Sequence, residues 1–171
     1  MSKMKIAILA VLIVAAAVWL VRVYQVNEGV AKKYQIRTYQ VGQNVPFGNA
    51  TLNVKSLTYG RLTNNHGFKT IPATVTMQIR NTSTKNISIL KIVEAKLAYG
   101  LDYYQTMSGN FNKSELLQLQ PSHSTTVILR FSVKPNHKGE RPKIYFDQNL
   151  YAPLVLKEYK KGIRYGIGVQ F

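Results

Sequence analysis

The 171-residue chain contains no cysteine. Disulfides, thiolate nucleophiles and cysteine-ligated metals are thereby excluded, and so is the lipid-bearing cysteine that tethers bacterial lipoproteins. Acidic residues are scarce: seven Asp and Glu stand against 23 Lys and Arg, for a formal net charge of +16. The first 31 residues hold three of the basic residues and one of the acidic ones, so an excess of 14 belongs to residues 32–171. A surface charged in this way attracts polyanions, whether nucleic acid, anionic lipid or acidic glycan, and also keeps molecules apart in solution. Histidine is confined to His66, His123 and His137, without the His-x-x-x-His spacing or the acidic neighbours of a metal site. No metal and no cofactor is expected.

Catalytic constellations are also missing. Glu94, Asp102, Glu115, Glu140, Asp147 and Glu158 are isolated in sequence and read as solubilising carboxylates rather than an acid–base pair. Ser83, Ser114 and Ser124 lack the strand–turn–helix context of a nucleophile elbow. The glycines of "GIGVQF" are followed by no helix that would cradle a phosphate. Asn49, Asn81, Asn86 and Asn112 each open an N-x-Ser/Thr triplet, which carries a glycan only in a glycosylating host and otherwise suits turns and strands. The chain is not expected to be an enzyme.

What the sequence does contain is one long apolar run. Ile6 to Val21 is 16 residues without a charge or a helix breaker, roughly 24 Å as a helix and about 28 Å if it continues to Tyr24. That is short for a hydrocarbon core of about 30 Å, and usable with local thinning. Lys3 and Lys5 precede it and favour a cytoplasmic N-terminus, while Trp19 and Tyr24 fall where interfacial aromatics belong and Arg22 can reach the outer headgroups. The expectation is a signal-anchor over residues 6–24, with Ile6, Leu9, Leu12, Ile13, Trp19, Leu20 and Tyr24 among its lipid-facing side chains, residues 1–5 cytoplasmic, and everything beyond outside the cell. The competing reading is a cleaved signal peptide with its small-residue site at Ala15-Ala16-Ala17, leaving Val18 as the new N-terminus. A buried core helix is the third.

Residues 25–38 are polar with scattered apolar side chains and read as a stalk. Beyond them the pattern is β. In "ATLNVKSLTYG" the alternation of Leu52 and Val54 slips to Leu57 and Tyr59, as at a bulge. "NNHG" (64–67) and "NTSTKN" are turn clusters. "ATVTMQIRN" places Val75, Met77 and Ile79 on one face, and "STTVILRFSV" does the same with Val127, Leu129, Phe131 and Val133, bordered by Pro121 and Pro135. "ISILKIVEAKLAYG" fits both a helix face and a bulged strand. "KIYFD" reads as a short strand. "LVLKEYKKGIRYGIGVQF" reads as a hairpin turning at Lys161-Gly162. Six to eight such strands predict an all-β, antiparallel sandwich over residues 39–171.

Three segments carry a resemblance: "YQVGQNVPFGNATLNVKSL", "VTMQIRNTSTKNISI" and "LQPSHSTTVILRFSV". Their V-G-x-x-V opening, apolar strand closing on an Asn-rich turn, and later Pro-led strand ending near a Phe resemble a domain of unknown function. That family is widespread in membrane-anchored proteins and lipoproteins of Gram-positive bacteria. The resemblance implies an immunoglobulin-like sandwich and no enzyme activity. Where the family usually carries Gly after the later Pro, this chain has Ser122-His123.

Two basic regions are candidate binding sites. "KPNHKGERPK" carries Lys138, Arg141 and Lys143 with Lys134 on a loop. "KEYKKGIR" interleaves Lys157, Lys160, Lys161 and Arg164 with Tyr159, a mixture suited to a polyanion through phosphate contacts and stacking. The plainer reading is a solvated loop and an edge hairpin guarded by lysines. A terminal "RYGIGVQF" also resembles the closing strand of an outer-membrane barrel, but residues 101–122 and 134–150 do not read as barrel strands. The expectation is a single-pass membrane protein displaying a non-catalytic binding domain for an envelope protein or an anionic envelope polymer. The alternatives are a surface nucleic-acid-binding protein in DNA uptake or transfer, and a cleaved, secreted binding protein.

Overall fold

In the computed structural model, which describes residues 3–65 and 67–171, Lys3–Asn27 forms one uninterrupted helix, α1. It is long and apolar enough to cross a membrane, and none of its window from Met4 to Asn27 is buried inside the protein. Ile6, Leu9, Leu12, Ile13, Trp19, Leu20 and Tyr24 are all solvent-facing. His66, and with it part of the expected 64–67 turn, lies outside the described residues.

Beyond α1 the described residues form ten strands: β1 (Lys33–Gln40), β2 (Asn44–Pro46), β3 (Ala50–Tyr59), β4 (Thr63–Asn65), β5 (Phe68–Asn81), β6 (Lys96–Tyr99), β7 (Asp102–Asn110), β8 (Ser124–Val133), β9 (Lys143–Tyr145) and β10 (Ile163–Gln170). They make one continuous sheet in the order β1-β10-β9-β6-β7-β8-β5-β3-β2, with β4 on β5. The sheet folds over on itself at β7. Residues Asp102–Gln105 pair with β6, whereas Thr106–Asn110 pair with β8 after an irregularity between Thr106 and Ser108. The two halves face each other as a sandwich that is nearly closed into a barrel.

The seam lies between β1 and β2, and the V-G-x-x-V opening crosses it. Val41 N donates to Gln170 O in one half, and the next amide, Gly42, donates to Val54 O in the other. That one-residue transfer needs the left-handed backbone of Gly42, at φ 83°. Val45, fully buried, then starts the second half. The core between the halves is aliphatic. Leu52, Val54, Val75, Met77, Ile79, Val127, Leu129 and Phe131 face Leu97, Ile144, Ile167 and Val169, all almost completely buried. The expected inward faces of β5 and β8 and the slip in β3, observed between Val54 and Ser56, are therefore present.

Four expectations are corrected. The stalk does not extend to residue 38, because Ala31 is already buried and β1 starts at Lys33. The sheet is not wholly antiparallel: β1 pairs in parallel with β10, Lys33 with Ile163 through to Gln40 with Gln170. Residues 102–110, within the stretch that does not read as barrel strand in the sequence, are β7. And the C-terminal segment is not a hairpin. Ala152–Tyr159 is a helix, α3, with Pro153 in its first turn, and the Lys161-Gly162 turn leads from it into β10. The shorter helix α2 is Lys113–Leu117. The reason for α3 is local: Pro153 suits a helix start and Gly162 (φ 78°) a helix stop, while Leu154 and Val155 pack on the core from adjacent positions, which a strand would send to opposite faces. The ambiguous 87–99 segment resolves into a bridge at Ile87, a 3-10 turn at Leu90–Glu94 and then β6.

Ser122 is the one non-glycine with positive φ among the described residues, at 61°. It occupies the position where the family resemblance leads one to expect glycine. Its amide is bonded to Asn81 O at 3.1 Å, so the turn is held in place. A left-handed non-glycine costs roughly 1–2 kcal/mol, part of which glycine returns through chain entropy. Ser122→Gly is expected to stabilise the fold by about 0.5–1 kcal/mol, read as a raised denaturation midpoint; a lowered midpoint would mean the serine hydroxyl contributes to the turn.

Candidate functional site

The outer face of the β1-β10-β9-β6-β7 half is where side chains gather without covering. In the parallel register Tyr34 stands beside Arg164 and Ile36 beside Gly166. Tyr145 stands beside Gly168 on one side and Lys96 on the other. Ala98, which comes after Lys96 on this face, stands beside Tyr103. Because strand side chains alternate, residues opposite one another share a face, and these strands bring three tyrosines, Tyr34, Tyr103 and Tyr145, onto one surface. Tyr34 and Tyr103 are 68% and 58% exposed.

Between them is an open groove of about 530 Å³. Its floor includes Gly166 and Ile167, and its far wall is the turn 147–149 with Tyr151. The glycines make the depression. A Cβ on Gly168 would come within 2.9 Å of the Tyr145 ring, and one on Gly166 would sit 3.7 Å from the Tyr34 hydroxyl. The Tyr103 and Tyr145 rings lie 6.2 Å apart at 38°. Burial raises the Tyr145 phenol above its ordinary value, and Tyr103 and Tyr34 add to this. At physiological pH the Tyr145 phenol is a neutral hydroxyl donor.

The groove wall is firmly built. Tyr151, nearly fully buried, donates to Phe146 O at 3.3 Å and accepts from Ile167 N at 3.1 Å. Burial pushes its phenol up to about 12, partly offset by the Ile167 amide. Gln148 Nε2 donates to Tyr165 O at 2.8 Å, and Asp147 caps the turn by accepting from Asn149 N at 2.8 Å. Phe47 packs against Phe146 and Tyr151 with centroids 5.2 and 5.4 Å apart, tying the wall to the opposite half. The polar lining is mixed: Lys96, Glu94 and Asp147, with Glu94 ion-paired to Lys91 at 2.5 Å. Lys143 and Arg164 lie on the same face, beside Ala98 and Tyr34. An aromatic platform with amides, with Lys96 in its lining and Lys143 and Arg164 beyond its ends, can stack on flat or ring-shaped ligands and pair with anionic groups at those cations.

The basic residues singled out from sequence do not form one site. Arg164 begins β10, and Lys143 pairs opposite Gln170 at its end, roughly 20 Å away. Lys138, Arg141 and Lys143 sit at that far end, where the Arg141 carbonyl accepts from Gln170 Nε2. Lys157, Tyr159, Lys160 and Lys161 belong to α3 and the turn after it, and Lys161 is paired to Glu158 at 2.8 Å. Lys134, on the same loop as Lys138, is paired to Asp102 at 2.8 Å.

A second polar cluster is structural. His137, almost buried, lies 4.5 Å from and nearly parallel to the Tyr99 ring. Its Nε2 meets Asp102 Oδ2 at 3.0 Å, and its Nδ1 faces Glu140 Oε1 at 3.2 Å in a poorly directed approach. Lys134 and His137 hold Asp102 below the usual carboxylate range. Tyr99 and Tyr59 share a 2.7 Å hydroxyl contact, and burial keeps both phenols raised. Asp102, which looks isolated in sequence, thus pins Lys134 and His137 of the 134–140 loop. No metal-ligand cluster exists among the described residues.

The sequence alone does not reveal the groove. Tyr103 stands out as an aromatic, and the "GIG" of β10 hints at a face kept clear of side chains. The neighbours, however, come from strands separated by as many as 130 positions.

No protein-family model and no curated protein matches the sequence. Among solved structures, the chain is similar to an uncharacterized β-sandwich protein from Clostridium difficile 630, with 7% identity and a TM-score of 0.54 over 82% of this chain and 97% of that one. It is also similar to the yjhA protein from Bacillus subtilis, with 13% identity and a TM-score of 0.50 over 78% of this chain and 98% of that one. Both come from Gram-positive bacteria. At such identities the likeness establishes the fold alone, a β-sandwich of the same overall extent.

Proposed function

We propose that the chain is a single-pass membrane protein whose sandwich stands outside the cell and binds, without catalysis, an anionic envelope glycan along the tyrosine groove. The observation that carries the ligand class is the shared face of Tyr34, Tyr103 and Tyr145 over the glycines of β10, flanked by Lys96, Lys143 and Arg164. Ring faces suit pyranose stacking, and the lysines suit carboxylate or phosphate substituents. The anchor rests on α1 and the two lysines before its apolar span. Within the β-sandwich class the reading is immunoglobulin-like: β6, β7 and β8 are successive antiparallel neighbours and β9 returns beside β6, a Greek-key order. Recovery of a mature form in the medium with Val18 at its N-terminus would replace the anchored protein with a secreted one.

Tyrosines alternating with basic residues favour single-stranded nucleic acid as a second reading. Both are tested on the full chain in detergent micelles, titrated with polygalacturonate, neutral dextran and oligothymidylate. Tyr34→Ala with Tyr103→Ala is expected to weaken polygalacturonate binding at least tenfold, about 1.4 kcal/mol, with folding intact because both rings are exposed. Undiminished binding by that variant would remove the groove as the site. Stronger binding to oligothymidylate, lost in the same variant, would exchange the ligand class.

A further inference from the structure

The basic residues around α3 lie at the end of the sandwich where the chain leaves α1. Lys32 N and Lys33 N both approach Gly162 O, at 3.1 and 3.2 Å, so the turn that ends α3 is bonded to the chain just before β1. Between Asn27, the last residue of α1, and the buried Ala31 there are only three residues. Four residue steps span at most about 14 Å. A membrane crossed by α1 therefore has its outer surface next to this end of the domain.

The surface presented there is of one kind. Leu156, Tyr159 and the capping residue Lys160 occur at i, i+3 and i+4 and share the outward face of α3. Leu156 is 63% exposed and Tyr159 42%, although Leu154 and Val155 of the same helix pack on the core. Lys157 and Lys160 adjoin them in the chain, and Lys32, Lys33 and Arg164 lie at the strand ends that meet the turn after α3, all exposed. The nearby acids are Glu28 and Glu158, and Glu158 is occupied by Lys161. An exposed leucine and tyrosine within a ring of lysines is the composition of an interfacial membrane contact, and basic residues this near a bilayer act within a Debye length of about 8 Å.

We propose that α3 and this basic ring form a seat for the anionic phospholipid headgroups of the membrane that α1 crosses, holding the domain against the bilayer. The seat rests on the anchor reading and, apart from Arg164 at the groove's edge, uses none of the residues of the tyrosine groove, which lies on the outer sheet face. Leu156 and Tyr159 enter the headgroup layer, and Lys157, Lys160 and Arg164 pair with phosphates around them.

The lack of cysteine makes a direct test available. Tyr159→Cys and, as a control at the opposite end, Leu101→Cys are each labelled with a nitroxide in the full chain. Leu101 is 93% exposed in the turn between β6 and β7. The proteins are placed in nanodiscs of pure phosphatidylcholine or with one-third phosphatidylglycerol, and accessibility to a water-soluble nickel relaxant is measured. The expected result is at least a threefold fall in accessibility at position 159 in the anionic discs, reversed by high salt and absent at position 101. Adding Lys157→Gln, Lys160→Gln and Arg164→Gln is expected to abolish the fall. Equal accessibility in both lipids, or a fall that survives the triple change, overturns the seat. Flotation of the unlabelled chain with neutral vesicles is read alongside. Failure to float removes the anchor and the seat together, while flotation without lipid-dependent protection removes the seat alone.

Discussion

Met77→Lys is expected to leave the domain unfolded at room temperature, whereas Thr76→Lys, one residue earlier, is expected to keep it folded. Met77 is fully buried in the middle of β5, with Val54 opposite it on β3 and Val127 opposite it on β8, both also fully buried. A lysine there finds no carboxylate, and an unpaired buried charge costs roughly 3–5 kcal/mol or more. That is comparable with the whole stability of an ordinary domain, about 5–15 kcal/mol. Thr76 points to the other face, opposite Ser56 and Ile128, where a lysine reaches water and the expected change is within about 0.5 kcal/mol. Circular dichroism and thermal unfolding of the two full-length variants read the difference. Equal tolerance would show the β5 register to be wrong.

The second large effect is expected at Asn81, a fully buried polar side chain at the end of β5. Its Nδ2 donates to Lys85 O and Leu119 O, each at 2.8 Å, and its Oδ1 accepts from Ser83 N and Ser83 Oγ at 2.8 Å. One amide thus closes the 82–85 turn and ties it to the segment leading into β8. Asn81→Leu preserves size and removes all four contacts. Leu119 O retains Ile87 N, and the Ser83 hydroxyl, its one proton released from Oδ1, turns to Lys85 O, but the Ser83 amide loses its acceptor. The expected loss is about 2–4 kcal/mol, seen as a lowered denaturant midpoint with an unchanged slope. Asn81→Asp keeps the acceptor and loses both donations, so it is expected to fall at least as far because it also buries a charge. A loss under about 1 kcal/mol for both would mean the turn forms without its asparagine.

The contrast between these two sites marks what is legible from residues alone. β5 and β8 are legible because one face of each is core and the other is solvent, which imposes strict alternation. β7 is not: Tyr103, Met107 and the small polar residues around them are exposed, and only burial writes a pattern into sequence. The α3 segment misleads for the opposite reason. Leu154, Val155 and Leu156 look strand-like together, and only the flanking Pro153 and Gly162 point to a helix. Asn81 looks like an ordinary turn former, since nothing local reveals its bond to Leu119, 38 positions away. The tyrosine groove lies further out of reach. Tyr34, Tyr103, Tyr145 and Gly166 become neighbours only through the parallel pairing of β1 with β10 and the antiparallel pairings that join β10 to β9, β6 and β7, registers that no short-range signal encodes.

That same parallel pairing sets how the molecule carries load. A pull transmitted through α1 enters the sandwich at Lys33, the first residue of β1, and runs along the strand. β1 is held to β10 by an eight-residue parallel register whose direction matches the pull. In the anchored, polymer-binding protein proposed above, tension between the membrane and a polymer held above β9 and β6 would act as shear, loading the rungs of that ladder together. Had the first strand been one arm of an antiparallel hairpin loaded at its open end, the same tension would part the rungs in turn, as a zipper opens. On the anchor reading proposed above, the domain would be tied to the membrane through a ladder loaded along its length.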